Sequence, residues 1–304
     1  MKKLYYILAV LMTTIMVGCD KVSPTGILIG GTGVDDRVLQ SIALHDKGYL
    51  GDLIFQVPDS DYTVLVGSDS HILDDTKRLA EMHEIGYRDG DIFLAHLGDL
   101  ADTQADPYLL TLECVNKYEE KYGSHFFPVV GNHDITHNGF TYFSMIFQSS
   151  TYVVNVLIGD TGERDVFLFM DTAAGTLGTK QIEFFERCMR DQCPGTTIRN
   201  IYTFGHTNYF RNTSGNLEFS STIPRDELYY LLHWNETHHV KAAVTGHVHE
   251  FDHHTYGSVE YFNLDAISER NNPMPGPYLF RMKMHKNGDF SWDRVQMNSV
   301  KMKL

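Results

Sequence analysis

Cysteine, proline and long hydrophobic runs are all scarce in this sequence, and each shortage excludes a class of protein. The 304 residues contain four cysteines, too few for a fold built on a framework of disulfides. Nine prolines, with no repeat or low-complexity tract, do not fit a collagen-like or disordered chain. The apolar run at residues 4–17 is shorter than the roughly 20 residues that a comfortable membrane span needs.

Positive charge is also in short supply. Lys and Arg total 25 against 39 Asp and Glu, which gives a formal net charge of -14 at pH 7. A surface of this sign repels a phosphate backbone, so nucleic acid is a disfavoured partner. Hydrophobic residues make up 42% of the chain and charged residues 21%, a balance typical of a globular protein with a packed core. Histidine is abundant by contrast, and its 16 residues invite a search for metal ligands.

The first residues have the order of parts found in a bacterial secretory signal. Lys2 and Lys3 precede the apolar run, which leads into a Met-Val-Gly-Cys tetrad that ends at Cys19. This tetrad resembles the lipobox of bacterial lipoproteins, in which cleavage exposes a cysteine that is then lipidated. We therefore expect a signal peptide over residues 1–18 and a lipid anchor on Cys19, which would hold the protein at a membrane of the cell envelope, on its periplasmic or surface side. The alternative is a short membrane anchor that is not cleaved.

A recurring pattern after residue 61 predicts an α/β domain. Short runs of β-branched and aromatic residues stop near Asp, Asn or His, and helical segments lie between several of them. The predicted strands are 63–66, 92–95, 126–130, 166–170, 201–204 and 241–244, and the predicted helices are 76–85, 109–121, 180–190 and 225–236. Asn287-Gly288 is a strong hairpin signal, so we expect antiparallel strands to close the domain. The predicted organisation is a tether and accessory segment over 19–60 and one domain over 61–304.

Polar residues suited to metal binding follow five of the predicted strands. In α/β sheets, ligands bind beyond the carboxyl ends of the strands, so we expect these side chains to meet at one edge. The candidates are Asp69, His71, Asp99, Asn132, His133, Asp134, His206, His247 and His249. Nitrogen and oxygen ligands without thiolate favour Mn, Fe, Zn or Co.

The sequence resembles the calcineurin-like metallophosphoesterase superfamily in five ordered motifs between residues 62 and 250. The motifs are Asp69-x-His71, Gly98-Asp99, Gly131-Asn132-His133-Asp134, Gly205-His206 and Gly246-His247-x-His249. The resemblance implies the fold of that family, an α/β/β/α sandwich of two facing sheets flanked by helices. It also implies two divalent metal ions and the hydrolysis of a small phosphorylated substrate, either a phosphate monoester or a diester.

The resemblance further implies a role for each candidate residue. The ligands of one ion would be Asp69, His71 and His249, those of the other Asn132, His206 and His247, and the bridge between them Asp99. Two such ions can hold a bridging hydroxide that acts as the nucleophile, and they can neutralise the phosphoryl group during displacement. His133 would donate a proton or hydrogen bond to the leaving oxygen, and Asp134 would orient His133.

Three other interpretations are weaker. Purple acid phosphatases have a metal-bound tyrosine where this chain has Asp102, so a tyrosinate-iron centre is not expected. An amidohydrolase places its His-x-His pair on the first strand, whereas the pair here, His247 and His249, comes last. A catalytically silent, envelope-anchored binding protein of the same fold would lack one or more ligands, and none is missing here. The sequence predicts neither the substrate, nor the identity of the metal, nor the oligomeric state.

Overall fold

The computed structural model describes most of the chain beyond residue 32. The described residues are 33–49, 53–101, 103–213, 216–220, 222–268 and 277–298. The predicted signal peptide, Cys19 and Asp102 lie outside them. Among the helices of the described ranges, none has both the length and the apolar character that a membrane crossing requires.

Strands form two main sheets at the centre of the fold. In chain order they are β1 Leu53–Val57, β2 Tyr62–Gly67, β3 Leu94–His96, β4 Phe126–Pro128, β5 Tyr152–Ile158, β6 Glu163–Phe169, β7 Thr197–Phe204, β8 Phe210–Thr213, β9 Asn216–Phe219, β10 Val240–Thr245, β11 Asp252–Tyr256, β12 Val259–Asn263, β13 Tyr278–Met284 and β14 Phe290–Gln296. The orders are β1-β5-β6-β7-β10-β12-β11 in the seven-stranded sheet and β14-β13-β2-β3-β4 in the five-stranded sheet, with β8 and β9 as a separate hairpin. The predicted two-sheet fold is confirmed, as is its closing antiparallel pair, β13 and β14.

Helices cover the outer faces of both sheets. In chain order they are α1 Val34–Asp46, α2 Lys77–Asp89, α3 Ala105–Tyr122, α4 Gly139–Phe147, α5 Gln181–Asp191 and α6 Arg225–Thr237. Helices α2, α3 and α4 lie over the five-stranded sheet, while α5 and α6 lie over the seven-stranded sheet and α1 packs on α5. Helix α2 ends at Asp89, whereas the sequence predicts an end at residue 85. The next residue, Gly90, has a φ of +78°, and this left-handed conformation terminates the helix.

Successive side chains of a central strand point to opposite faces of its sheet, so each such strand contributes to two hydrophobic cores. Phe167 and Phe169 of β6 lie in the core between the two sheets, whereas Val166 and Leu168 pack under α5 and α6. Strand β2 alternates in the same way between the inter-sheet core and the helices of the other layer. Because both faces of these strands are buried, their sequences are continuous apolar runs, and this is why the sequence predicts them well.

Part of the predicted accessory segment packs onto the domain. Strand β1 pairs in parallel with β5 at the edge of the seven-stranded sheet, where Leu53 is opposite Val154. Helix α1 lies against α5 and therefore also packs onto the domain. The domain boundary at residue 60 stays a prediction.

The five loops that carry the candidate residues all follow the carboxyl ends of parallel strands. Strands β2, β3 and β4 run parallel in one sheet, and β7 and β10 run parallel in the other. The segments that leave the carboxyl ends of these five strands carry every candidate residue of the sequence motifs. The fold therefore places the candidates where the strand-end argument predicts them.

Candidate metal centre

Side chains from the five loops converge into two groups. Within each group, one ligand atom from each residue lies within 4.8 Å of those from all the others. The first group is Asp69, His71, Asp99 and His249, and the second is Asp99, His206 and His247. Asn132 joins the second group, because its Oδ1 lies 2.8 Å from His206 Nε2 and 2.8 Å from His247 Nδ1. We call the position among Asp69, His71 and His249 site A, and the position among Asn132, His206 and His247 site B.

Asp99 belongs to both groups because its two carboxylate oxygens face different histidines. Its Oδ1 lies 3.5 Å from His206 Nε2, on the side of site B. Its Oδ2 lies 3.8 Å from His71 Nε2, on the side of site A. The backbone amide of His133 donates a hydrogen bond of 2.8 Å to Oδ1, which fixes the orientation of the buried carboxylate. A single side chain thus reaches both sites.

Site B gathers donor atoms that need a cation among them. His206 Nδ1 lies 2.8 Å from the carbonyl oxygen of Leu97, so Nδ1 donates to it, and whenever the ring is neutral its Nε2 presents a lone pair. That lone pair faces Asn132 Oδ1 and, at 3.2 Å, His247 Nδ1. Lone pairs gathered at such distances repel one another unless a proton or a metal ion lies among them. The donor set therefore fits a divalent metal ion.

Site A contains a buried oxygen with an unused bonding capacity. Asp69 Oδ2 accepts hydrogen bonds from Ser68 Oγ and from the backbone amide of His247. Asp69 Oδ1 is also buried, and among the described residues it has no hydrogen-bond partner. It lies 3.3 Å from His249 Nε2, which is 3.2 Å from His71 Nε2. Because buried oxygens are rarely left unsatisfied, this arrangement also fits a bound cation.

Burial and neighbouring charge shift the pKa values of the site strongly. Burial raises the pKa of Asp99, but nearby His206 and His71 outweigh this effect, and the pKa lies well below its usual value. Burial lowers the pKa of His206, but the charge of Asp99 outweighs it and raises the pKa to about 9. In the metal-free chain a proton on His206 therefore occupies the position that a metal ion would take, and metal binding would release that proton.

The backbone of the loops is held in a conformation that non-glycine residues rarely adopt. Most of the candidate ligands have a positive φ, namely Asp69 at 54°, His71 at 43°, Asp99 at 51°, His247 at 78° and His249 at 58°. Such conformations cost free energy and persist only where the surrounding structure imposes them. Their concentration at these loops marks the convergence as a functional site.

Two glycines let the loops approach one another closely. A Cβ atom at Gly131 would overlap the backbone amide and the carboxylate of Asp99. A Cβ atom at Gly246 would overlap the side chains of Ser68 and Asp69. Neither neighbour can move without displacing a candidate ligand, so both positions require glycine.

His133 lies at the mouth of the centre. Its side chain is 48% exposed, and its Nε2 lies 4.0 Å from Asp99 Oδ2. The ring packs edge-on against His71, with 4.8 Å between the ring centroids. His133 is therefore close to both sites but open to a molecule that approaches from solvent.

Asp134 makes contacts that differ from its predicted role. The resemblance implies that Asp134 orients His133, but its carboxylate accepts hydrogen bonds from the amides of Gly131 at 2.8 Å and Leu100 at 3.2 Å, and from the hydroxyl of Tyr108 at 2.6 Å. Burial raises its pKa to about 6. Asp134 thus ties the loop after β3 to the loop after β4, and it positions ligands through the backbone.

Three supporting residues are absent from the sequence-based prediction. They are Ser68, Tyr108 and Thr172. Thr172 Oγ1 accepts a hydrogen bond of 2.9 Å from the backbone amide of His206. Ser68 directly follows β2 and precedes the first motif, whereas Thr172 lies in the segment after β6, which carries no motif, so only Ser68 had a signal in the sequence. Tyr108 lies on α3, 26 residues from the carboxylate that it contacts, and no spacing rule points to it.

Comparison with known families agrees with this geometry. The sequence model of the calcineurin-like phosphoesterases matches residues 62–251, which include every candidate residue of the centre. The chain therefore belongs to the calcineurin-like phosphoesterase family, a family of metal-dependent phosphoesterases. A search of curated proteins found no match.

Solved structures of two phosphatases share the fold. A purple acid phosphatase from seeds of yellow lupin (Lupinus luteus) is 14% identical with a TM-score of 0.53, over 79% of this chain and 55% of that one. A dimetal phosphatase from Danio rerio is 12% identical with a TM-score of 0.50, over 78% of this chain and 99% of that one. The match thus spans little more than half of the lupin protein. At these identities the likeness shows a shared fold.

We predict that Asp99→Ala removes both metal ions, because among the described residues Asp99 is the one side chain that belongs to both groups of candidate ligands. Elemental analysis after dialysis should find two ions in the wild-type chain and none in the variant. The exposed Glu113 of α3 provides a matched control, and Glu113→Ala should keep both ions. Two tightly bound ions in Asp99→Ala would show that the ligand assignment is wrong.

Proposed function

We propose that this chain hydrolyses small phosphate esters at a centre of two divalent metal ions. The observation that carries the proposal is the pair of sites that share the Asp99 carboxylate. Site A and site B would each hold one ion, and their nitrogen and oxygen donors suit Mn, Fe, Zn or Co. When bound, two such ions lower the pKa of a water molecule and neutralise the charge of a phosphoryl group.

Residues next to the candidate ligands hold those ligands in position for this reaction. Leu97 holds the His206 ring through its carbonyl oxygen, and Ser68 holds the Asp69 carboxylate. Asp134 joins two of the loops through backbone hydrogen bonds. Because these partners fix the ligands in advance, little reorganisation is needed when charge develops on the substrate.

Electrostatics explain why the metal ions matter for binding as well as for chemistry. The chain carries a formal net charge of -14, and a phosphate ester is also an anion. The buried carboxylates of Asp69 and Asp99 would repel it further at the site itself. Two divalent ions reverse the sign of the local field, so we expect substrate binding and turnover to fail together when the ions are removed.

The test of the proposal is a comparison of monoesters and diesters before and after chelation. We expect the purified chain to hydrolyse p-nitrophenyl phosphate, bis(p-nitrophenyl) phosphate or both, and to lose this activity after exhaustive chelation. Addition of Mn, Fe, Zn or Co should restore it, and Glu113→Ala should behave as the wild type. Activity that survives chelation and does not rise with any of the four metals would contradict the proposal.

His133 is the residue that we assign to the leaving group. Its ring lies at the mouth of the centre and is half exposed, so its imidazole can meet the leaving oxygen of a bound ester. The ring lies close to Asp99 without belonging to either group of candidate ligands. Catalysis and metal binding should therefore separate at this position.

We predict that His133→Ala keeps both ions but lowers kcat by about 10²–10⁴-fold on an alkyl phosphate, because general acid catalysis contributes that much to proton transfer. The loss should be smaller on an aryl phosphate, whose leaving group needs less protonation. His233→Ala, at an exposed position on α6, is the control. Equal losses on the two esters would argue against this assignment.

We also propose that the protein is exported and lipid-anchored at Cys19. The support is the sequence itself: two lysines, an apolar run and a Gly-Cys pair in the order of a lipoprotein signal. An envelope location gives access to extracellular nucleotides and to phosphorylated compounds of the envelope, so these are the substrate classes that we favour.

We predict that Cys19→Ser leaves an uncleaved precursor or releases the protein from membranes, because serine offers no thiol for lipidation. Fractionation followed by mass spectrometry of the N-terminus would measure both outcomes, with the wild-type chain as reference. A wild-type chain that fractionates with the cytosol would contradict the export proposal.

A further inference from the structure

A helix outside the family match contacts the segment after β6, which lies beside a loop of the metal centre. Helix α1 precedes the matched region, which begins at residue 62. Its Arg37 binds the carboxylate of Asp171 through two hydrogen bonds, from Nε to Oδ2 at 2.7 Å and from Nη2 to Oδ1 at 2.8 Å. Both side chains are completely buried. This bidentate pairing with a planar guanidinium fixes the orientation of the Asp171 carboxylate as well as its distance from Arg37.

The bound carboxylate leads directly to a ligand of site B. Thr172 follows Asp171, and its Oγ1 accepts hydrogen bonds from the backbone amides of His206 at 2.9 Å and Thr207 at 3.0 Å. The hydroxyl of Thr207 donates in return to the carbonyl oxygen of Thr172. A continuous series of buried contacts therefore runs from α1 to the backbone of His206.

Arg37 and Gln181 hold different parts of Asp171. Gln181 of α5 already holds the backbone of Asp171, since its Nε2 donates to the carbonyl oxygen at 2.9 Å and its Oε1 accepts from the amide at 2.6 Å. Arg37 orients the carboxylate, and its guanidinium also lies 5.5 Å from the ring centroid of Phe140. Phe140 belongs to α4, the helix that follows the loop of Asn132. One guanidinium thus contacts the carboxylate that precedes Thr172 and the helix that follows the loop of Asn132.

We propose that Arg37 is a positioning residue for the metal ion of site B, supplied by a helix outside the residues that match the phosphoesterase family. The inference rests on the proposed metal centre. Loss of a residue that orients a metal ligand without binding the metal itself typically weakens metal affinity by about 10–100-fold. Loss of Arg37 should therefore weaken the ion of site B, while the ion of site A stays tight.

Matched variants isolate each link in the series of contacts. Arg37→Met removes the guanidinium, and Arg37→Lys keeps the charge without the two-pronged geometry. Thr172→Val removes the hydroxyl acceptor at almost constant volume, and Thr172→Ser keeps it. Arg187→Ala breaks an exposed ion pair of 2.8 Å with Asp46 of α1, so it loosens the helix without touching Asp171.

The measurement is a Mn²⁺ titration of the metal-free full chain in detergent, with unbound Mn²⁺ counted by electron paramagnetic resonance. We expect Arg37→Met and Thr172→Val each to raise the Kd of one ion by about 10–100-fold. That ion should be the one that His247→Ala loses and His249→Ala retains. Arg37→Lys should give an intermediate loss, and Thr172→Ser and Arg187→Ala should bind as the wild type. Thermal unfolding identifies any variant that fails to fold, and Thr172→Val leaves the buried ion pair intact.

Two results would overturn the inference alone. The first is a wild-type chain that binds two ions beside a Thr172→Val variant that binds them equally well. The second is a loss of both ions to the same extent in Arg37→Met and Arg187→Ala, because this would reflect general loosening of α1. A wild-type chain that binds no Mn²⁺ would contradict the proposed metal centre and the inference with it.

Discussion

The Asp99 carboxylate has to face two groups of ligands at once, and much of the surrounding structure follows from that constraint. Asp99 follows β3, which lies between β2 and β4 in the five-stranded sheet. Its loop therefore lies between the loops that carry Asp69 and Asn132. The absence of a side chain at Gly131 gives the carboxylate room to approach the neighbouring loop. The two sheets then need only to face each other for His206 and His247 to complete the second group.

Electrostatics connect this geometry to function. Two buried carboxylates among histidines would be unfavourable if they were left uncompensated, because burial penalises the charged form of an acid. In the metal-free chain His206 supplies part of the compensation, since its pKa is raised to about 9 beside Asp99. Metal ions would supply more positive charge at the same place. The same interaction would therefore explain, for the proposed metal centre, its affinity for metal, the release of a proton on metal binding and the attraction of an anionic ester to an acidic protein.

Local patterns in the sequence predict the parts of the structure that depend on local physics. Apolar strands buried on both faces and polar residues at their carboxyl ends are visible in the sequence, and the strand ends near Asp69, Asp99 and His247 lie as expected. Helix α4 is harder to predict, because its Gly-Phe-Thr-Tyr-Phe-Ser-Met-Ile-Phe sequence has the aromatic content of a strand. Strand β5 is not followed by a motif residue, and a search based on strand-end polar residues does not find it.

Such local patterns do not predict contacts between residues that are far apart in the sequence. Arg37 and Asp171 are 134 residues apart, and Tyr108 contacts Asp134 from a helix with no motif of its own. Neither residue type nor spacing marks these pairs, because three-dimensional packing alone brings them together. The contacts of Asp134 illustrate the difference: its place in the motif suggests a partner in His133, whereas its buried position directs its carboxylate to backbone amides.

Anomalous diffraction from a crystal of the Mn²⁺-loaded chain tests the central claim most directly. The account predicts two peaks on opposite sides of the Asp99 carboxylate, separated by about 3.5–4 Å, as in two-metal sites that act on phosphate esters. One peak should contact the ligands of site A and the other those of site B. A single peak, or two peaks that share no contact with Asp99, would contradict it.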